Sequence, residues 1–312
     1  MKAYIRLIRP LNLLIIALTQ YFVRYLIINP VLSTYGTSLQ LNNLDFLLLV
    51  LSTVLLAAGG YIINDYFDVD IDMRNKPDAV LLGTEIKLKT ADILHKALTG
   101  IGIGFGIYVA FRAGMIQLGF IFVIIAFALW YYSFKYKRIF LWGNLTVALL
   151  CSLSVAIVWL FEFFALRHNT LTFIDAAKGF ETINLFILCY SIFAFLTSLI
   201  REIIKDIEGD KEEGCNTLPV VLGIKASKGI IIALIILELM MTGFVQYYLY
   251  LRHFYYIIVA ILIAIQGPLF YLVSYIPQSN KKGDYGFCSG LAKIIILLGI
   301  LSMLLFYFYV LK

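Results

Sequence analysis

Two short acidic runs carry the side chains best suited to chemistry in this chain. The first spans Asn64, Asp65, Asp68, Asp70 and Asp72; the second spans Glu202, Asp206, Glu208 and Asp210. Asp65, Asp68 and Asp72 are spaced three and four apart, and Asn64, Asp68 and Asp72 four and four, so a helix running through them gathers these groups on one face. Glu202, Asp206 and Asp210 fall at spacings of four in the same way. Carboxylate and amide oxygens are hard ligands, and Mg²⁺ takes one or two of them together with waters and substrate phosphates. Two facing sets suit the gripping of a diphosphate through Mg²⁺, where neutralising the leaving group favours cleavage of an allylic C–O bond. Arg74, Lys76, Arg201 and Lys205 stand beside the carboxylates as candidate phosphate contacts.

Blander readings compete with this one. Charges at helix ends are often merely solvated, and for either run alone that reading is as good as the metal site. The two runs, however, match each other: Asp68 to Asp206 and Asp72 to Asp210 are both offsets of 138 positions. Each run is followed by an Asn, a Pro and a Gly: Asn75, Pro77 and Gly83, against Asn216, Pro219 and Gly223. A Ca²⁺ loop is excluded, because Met73 stands where the loop needs Gly and Ala79 where it needs Glu.

The elements that position these runs are apolar and long. Hydrophobic residues make up 62% of the 312 and charged ones 14%, and mean hydropathy is +0.92. A soluble domain averages about 45–50% apolar and about 25% charged, so the solvent here is lipid. A spanning helix needs about 20 mostly apolar residues. Nine such runs are present, at 11–32, 44–66, 91–111, 115–133, 139–165, 183–200, 228–250, 254–275 and 287–311. The expected fold is all-α, a polytopic membrane protein of nine transmembrane helices forming one domain over 1–312. It reads as two four-helix halves, roughly 1–133 and 139–275, plus the extra helix 287–311, with cap loops on one side.

With the N-terminus inside, 19 of the 25 Lys and Arg residues fall on that side, five on the other, and Arg24 lies within a span. Such asymmetry places the N-terminus and both acidic loops, 67–90 and 201–227, in the cytoplasm of a cell (inner) membrane protein. The charge of +6 therefore serves topology and does not imply a nucleic-acid partner. Met1–Pro10 is basic, but the apolar run after it is long and lacks a small-residue cleavage site, so no cleavable signal peptide is expected. Cys151, Cys189, Cys215 and Cys288 form no CxxC pair, and His95, His168 and His253 form no cluster. Trp130, Trp142 and Trp159 read as mostly lipid-facing or interfacial.

Taken together, these residues resemble the UbiA family of intramembrane prenyltransferases. Its NDxxDxxxD signature is matched by Asn64, Asp65, Asp68 and Asp72, and its DxxxD by Asp206 and Asp210. Arg9, Pro10 and Asn12 match an early Arg-Pro-x-Asn; Tyr132, Ser133, Lys137, Arg138, Gly143 and Asn144 are similar to a further Tyr-Ser, basic-turn and Gly-Asn pattern. The resemblance covers roughly residues 5–225. It implies a nine-helix bundle around a lipid-accessible cavity, Mg²⁺ as cofactor, a prenyl diphosphate donor, a lipophilic acceptor, and contact with membrane lipids.

In these terms Asn64, Asp65, Asp68, Asp72, Asp206 and Asp210 are the expected metal ligands, the last four of the Asp residues also being catalytic. Arg74, Lys76 and Lys205 are candidates for the donor diphosphate, Arg201 and Lys137 for an anionic acceptor head, and Asn12 and Tyr132 for substrate contact. The run Arg201 to Asp210 is most similar to the branch that adds a second geranylgeranyl chain to a glycerol-phosphate ether lipid. Where many members carry Arg-Pro after the first motif, Asn75, Lys76, Pro77 and Asp78 depart from it. An aromatic, quinone-precursor acceptor stays open as an alternative. A secondary transporter would place acidic residues near mid-membrane, in helices broken at matched places. A CDP-alcohol phosphotransferase would need Gly where Val69 stands.

Overall fold

The computed structural model describes residues 2–75, 80–209 and 216–310; of residues 71, 72, 74, 75, 208, 209 and 308–310 it describes the backbone alone. Nine helices among them are long and apolar enough to cross a membrane. They are α1 (Pro10–Thr34), α2 (Asn43–Asn75), α3 (Leu88–Arg112), α4 (Gly119–Phe134), α5 (Trp142–Leu166), α6 (Phe180–Gly209), α7 (Ile224–Leu251), α8 (Tyr255–Gln278) and α9 (Lys282–Val310). Each coincides with an expected apolar run, and no strand forms among the described residues. Two helices outgrow those runs: α2 continues past 66 to Asn75, and α6 past 200 to Gly209. The first acidic run and residues 202–208 of the second therefore ride on helix.

Two of the helices contain a π-helical turn, at Val23–Ile28 in α1 and Leu262–Gln266 in α8. Each turn ends just before an X-Pro pair, Asn29-Pro30 and Gly267-Pro268. Proline lacks the amide hydrogen and its ring crowds the carbonyl four residues back, and a wider turn relieves that clash without ending the helix.

The chain divides into two compact units. The first comprises Met1–Tyr21, Ser38–Lys137 and Ile157–Ala176. Its centre is the packing of α2, α3 and α4, which small residues allow to approach closely. A Cβ on Gly106 would run into the Phe122 ring, and one on Gly59 into the Thr99 hydroxyl. Ser52 Oγ donates across to the Gly102 carbonyl at 2.7 Å, the kind of interhelical bond that lipid favours. Phe122 and Phe161 are fully buried against each other. Glu162 on α5 is also buried, and its Oε1 accepts the backbone N–H groups of Gln40 and Leu41. A short helix, Lys2–Leu7, seats Ala3 and Leu7 against Ile62, Leu82, Ile86 and Ala91.

The second unit comprises Phe22–Thr37, Arg138–Ala156 and Ala177–Lys312. Here α6 packs on α7 and α9. Mid-way along α7, Glu238 is fully buried; Thr197 on α6 donates to its Oε1 at 2.5 Å, while Oε2 has no partner among the described residues. One turn on, Gln266 of α8 donates to Thr242 and to Gln246, both at 3.0 Å. Beside this polar chain lies an apolar pocket lined by Phe186, Tyr190, Phe193, Tyr248, Ile265 and Phe306. Trp159 departs from expectation: it is buried and packs edge-on against Phe163, whereas Trp130 and Trp142 are exposed.

Candidate active site

Because α2 remains helical to Asn75, Asn64, Asp65 and Asp68 emerge within little more than one turn of each other. Asn64 Nδ2 donates to Asp68 Oδ2 at 3.1 Å, which orients the carboxylate and leaves the amide oxygen as a further hard donor. Lys137 Nζ pairs with Asp68 Oδ1, and both side chains are largely buried, at 14% and 18% exposure. The lysine is brought there by aromatic packing. Phe67, next to Asp68, meets Trp130 and Phe134 at ring-centroid distances of 6.5 and 5.6 Å, which sets the end of α4 and the turn after it over α2.

Asp65 is held from the other direction. Arg9 Nη2 donates to its Oδ1 at 2.5 Å, and the guanidinium lies 4.9 Å above the Tyr61 ring. Arg9 has φ of +53°, in the left-handed region that a non-glycine residue seldom adopts. It stands between the Lys2–Leu7 helix and Pro10, where the chain must turn sharply, and the ion pair and ring contact offset the strain. Asn12 follows one turn later and is half-buried, as is Tyr132 on α4.

In the second unit, Asp206 accepts from Asn144 Nδ2 of α5 at 2.6 Å. Farther along the same helix pair, Ser198 Oγ meets Cys151 Sγ at 3.3 Å, so α5 and α6 run antiparallel along this face. Arg201 Nη1 and Lys205 Nζ both donate to a single oxygen, Glu202 Oε1, at 2.9 and 2.8 Å. Arg201 Nε is buried with no partner among the described residues.

Of the expected site residues, the structure brings Asn64, Asp68 and Lys137 into one contact network, and Arg201 with Lys205 into another. Lys137, grouped with Arg201 on sequence, stands on Asp68. The side chains of Asp72 and Arg74, and the whole of Lys76 and Asp210, lie outside the described residues. Among the described residues no three His, Cys, Asp or Glu side chains converge. The donors present, an amide and carboxylates already gathered on one helical face, are nonetheless the hard oxygen type that suits Mg²⁺. Arg9 and Asn144 were given no site role on sequence, and Glu202 was read within the second acidic run without being made a ligand. The Arg-Pro and Gly-Asn patterns were the available signals for the first two.

Known proteins resemble this chain in sequence and in fold. Residues 31–291 match the UbiA prenyltransferase family. Digeranylgeranylglyceryl phosphate synthase of Methanosphaera stadtmanae is 30% identical over 289 residues, 91% of either chain. The protein of the same name from Sulfolobus acidocaldarius is 33% identical over 252 residues, covering 80% of this chain and 79% of its own. Among solved structures, one described as digeranylgeranylglyceryl phosphate synthase in membranes superposes with TM-score 0.65 over 99% of this chain and 98% of its own, at 23% identity. A UbiA homologue from Archaeoglobus fulgidus bound to DMAPP and Mg²⁺ superposes with TM-score 0.57 over 96% and 98%, at 17% identity. At those identities the superpositions establish the fold. The family match covers well over half of the 312 residues, and this chain accordingly belongs to the UbiA prenyltransferase family, as an integral membrane prenyltransferase.

Proposed function

We propose that this enzyme transfers a geranylgeranyl group from its allylic diphosphate to the free hydroxyl of geranylgeranylglyceryl phosphate, with Mg²⁺ as cofactor. The observation that carries the acceptor choice is the pair Arg201 and Lys205, two cations sharing one carboxylate oxygen and so retaining donors for a second anion. The relatives' shared name supports the same acceptor. Bound Mg²⁺ would neutralise the leaving diphosphate and act as a Lewis acid on it.

In this reading Asn64, Asp65, Asp68, Asp72, Asp206 and Asp210 hold the metal. Lys137 and Arg9, already paired with carboxylates, sit where they can also meet phosphate oxygens, joined by Arg74 and Lys76. Asn12 and Tyr132 contact substrate. The allylic C–O bond breaks with its electron pair leaving on the diphosphate; the acceptor oxygen then bonds to the allylic carbon, and its proton passes to the released diphosphate. We place the N-terminus and both acidic helix ends in the cytoplasm of the cell membrane, on the distribution of Lys and Arg.

The test offers purified enzyme labelled geranylgeranyl diphosphate with geranylgeranylglyceryl phosphate, 4-hydroxybenzoate and a dihydroxynaphthoate, with Mg²⁺ or with EDTA. Transfer to the lipid phosphate, abolished by EDTA and restored by Mg²⁺, is expected. Transfer to an aromatic ring alone would overturn the acceptor assignment.

A further inference from the structure

The apolar pocket of the second unit lies well away from the acidic end of α6. Phe193, at its inner edge, precedes Asp206 by 13 positions, about 20 Å of helix. The lining falls near the far end of α7, near the beginning of α8, and between 299 and 306 on α9. All four helices are long and apolar enough to span the membrane, so the pocket occupies the leaflet opposite the acidic end. Along α6 and α7 it extends over 185–193 and 241–249, or about 12 Å of each helix. One leaflet's share of the hydrocarbon core is about 15 Å, so the pocket has the depth of a single chain.

Its walls suit hydrocarbon. No charged residue lines it, and the rings of Phe186, Tyr190, Phe193 and Phe306 do. Tyr190 Oη is turned to Ser302 Oγ at 2.9 Å, and Ser302 donates to the Gly299 carbonyl at 2.6 Å, so these hydroxyls ask nothing of an occupant. A Cβ on Gly299 would run into the Phe193 ring, so the glycine keeps the α9 wall low. The lining runs from the buried Leu249 and Ile261 out to Phe244, which is 63% exposed, so the space meets the lipid-facing surface.

A polar layer closes the inner end. Thr197 follows Phe193 by one turn on α6, Glu238 precedes Thr242 by one turn on α7, and Gln266 follows Ile265 directly on α8. Thr197 bonds Glu238, and Gln266 spends both amide N–H groups on Thr242 and Gln246. A prenyl tail reaching the pocket from Asp206 along this face would have to cross that layer, and an apolar chain that parts such bonds leaves polar groups buried without partners. A chain entering past Phe244 meets only apolar and aromatic side chains.

We propose that this pocket binds one hydrocarbon chain of a bilayer lipid, drawn from the leaflet opposite the acidic end and wedged among α6, α7, α8 and α9. The chain supplies dispersion contacts to rings that face one another across the space. It is a lipid site apart from both substrates, and it does not rest on the acceptor assignment.

The experiment places the full chain in phosphatidylcholine nanodiscs, a fraction of whose lipid carries a diazirine at the end of one chain. After irradiation, insertion sites are mapped by mass spectrometry in wild type and in two variants that fill the pocket, Cys189→Phe and Val245→Phe. Each variant is first shown to elute and melt as a folded protein, and one folded variant suffices. The expected result is insertion at Phe193 and Ile265, which are buried from bulk lipid, and its loss in the filled variants. Ile263, 69% exposed on the same helix as Ile265, should stay labelled in all of them. No insertion at Phe193 and Ile265, or insertion that survives filling, would overturn the site. In a parallel arm the label is geranylgeranyl diphosphate with a diazirine at its terminal isoprene. Its insertion at Phe193 would make the pocket a substrate-tail site and overturn the lipid assignment; labelling by the lipid alone sustains it.

Discussion

The ends of α2 and α6 carry the same acidic spacing in opposite electrostatic settings. On α2, the counter-charges arrive from far along the chain: Arg9 reaches Asp65 across 56 positions and Lys137 reaches Asp68 across 69. On α6, they come from the same helix, Arg201 and Lys205 lying one and three positions from Glu202, while the motif residue Asp206 meets a neutral amide. At the first end Asp65 and Asp68 are therefore each tethered by a cation of their own. At the second, one oxygen of Glu202 is shared by two cations of its own helix. A shared spacing fixes where oxygens stand on a helix; the neighbours decide whether that face prefers a metal or an anion.

The largest expected effects come from the motif residues themselves, and they should separate the two ends. Asp68→Asn and Asp206→Asn each remove a proposed metal ligand at constant size, and both should lower kcat by about 10²-fold or more. Asp68→Asn should in addition lower the melting temperature, because it strands the largely buried Lys137. Melting like wild type would break the comparison.

Next in size are the cations. Lys137→Met should raise KM for the diphosphate donor about tenfold, and Arg201→Ala should raise KM for the lipid phosphate by a similar factor, each leaving the other substrate nearly unchanged. Kinetics with both substrates varied will show whether the two effects are crossed or confounded. Removing the neutral partner is milder. Asn144→Ala takes one hydrogen bond from Asp206, worth about 1.5–3 kcal/mol when the acceptor is charged, and should reduce kcat with donor and acceptor KM held.

The smallest effect belongs to Arg9→Lys. The pair with Asp65 is partly exposed, 43% and 24%, so its loss should lower stability by roughly 0.2–1 kcal/mol, less in high salt. Thermal melts at two ionic strengths measure it. A loss that salt does not weaken would mean that the ring of Tyr61 matters more than the ion pair.

Hydropathy made all nine spans readable, and the acidic faces were readable because their i, i+3 and i+4 spacing has meaning once a helix is granted. The tethers were not. Nothing in local periodicity links Lys137 to Asp68; that contact depends on Phe67 meeting Trp130 and Phe134. Asn144 escaped for the same reason, since an amide declares itself only when α5 lies against α6. Trp159 was misread because an aromatic residue in a spanning helix looks alike whether it faces lipid or protein. Glu162 and Glu238 passed unremarked within apolar runs, where one carboxyl barely alters the average and its hydroxyl or backbone partner sits on another element.

Glu238 also bears on how the chain is made. Helices enter the membrane in the order in which they are translated, and a polar group at mid-span resists partitioning into lipid unless something satisfies it. The hydroxyl that does so belongs to Thr197, on the helix synthesised before it. Thr197 is translated before Glu238, and Gln266 follows with α8 to close the polar chain through Thr242 and Gln246. The Thr197 hydroxyl thus offsets part of the cost of burying Glu238, and because α6 precedes α7 in the chain, the order of synthesis favours assembly of this half of the enzyme.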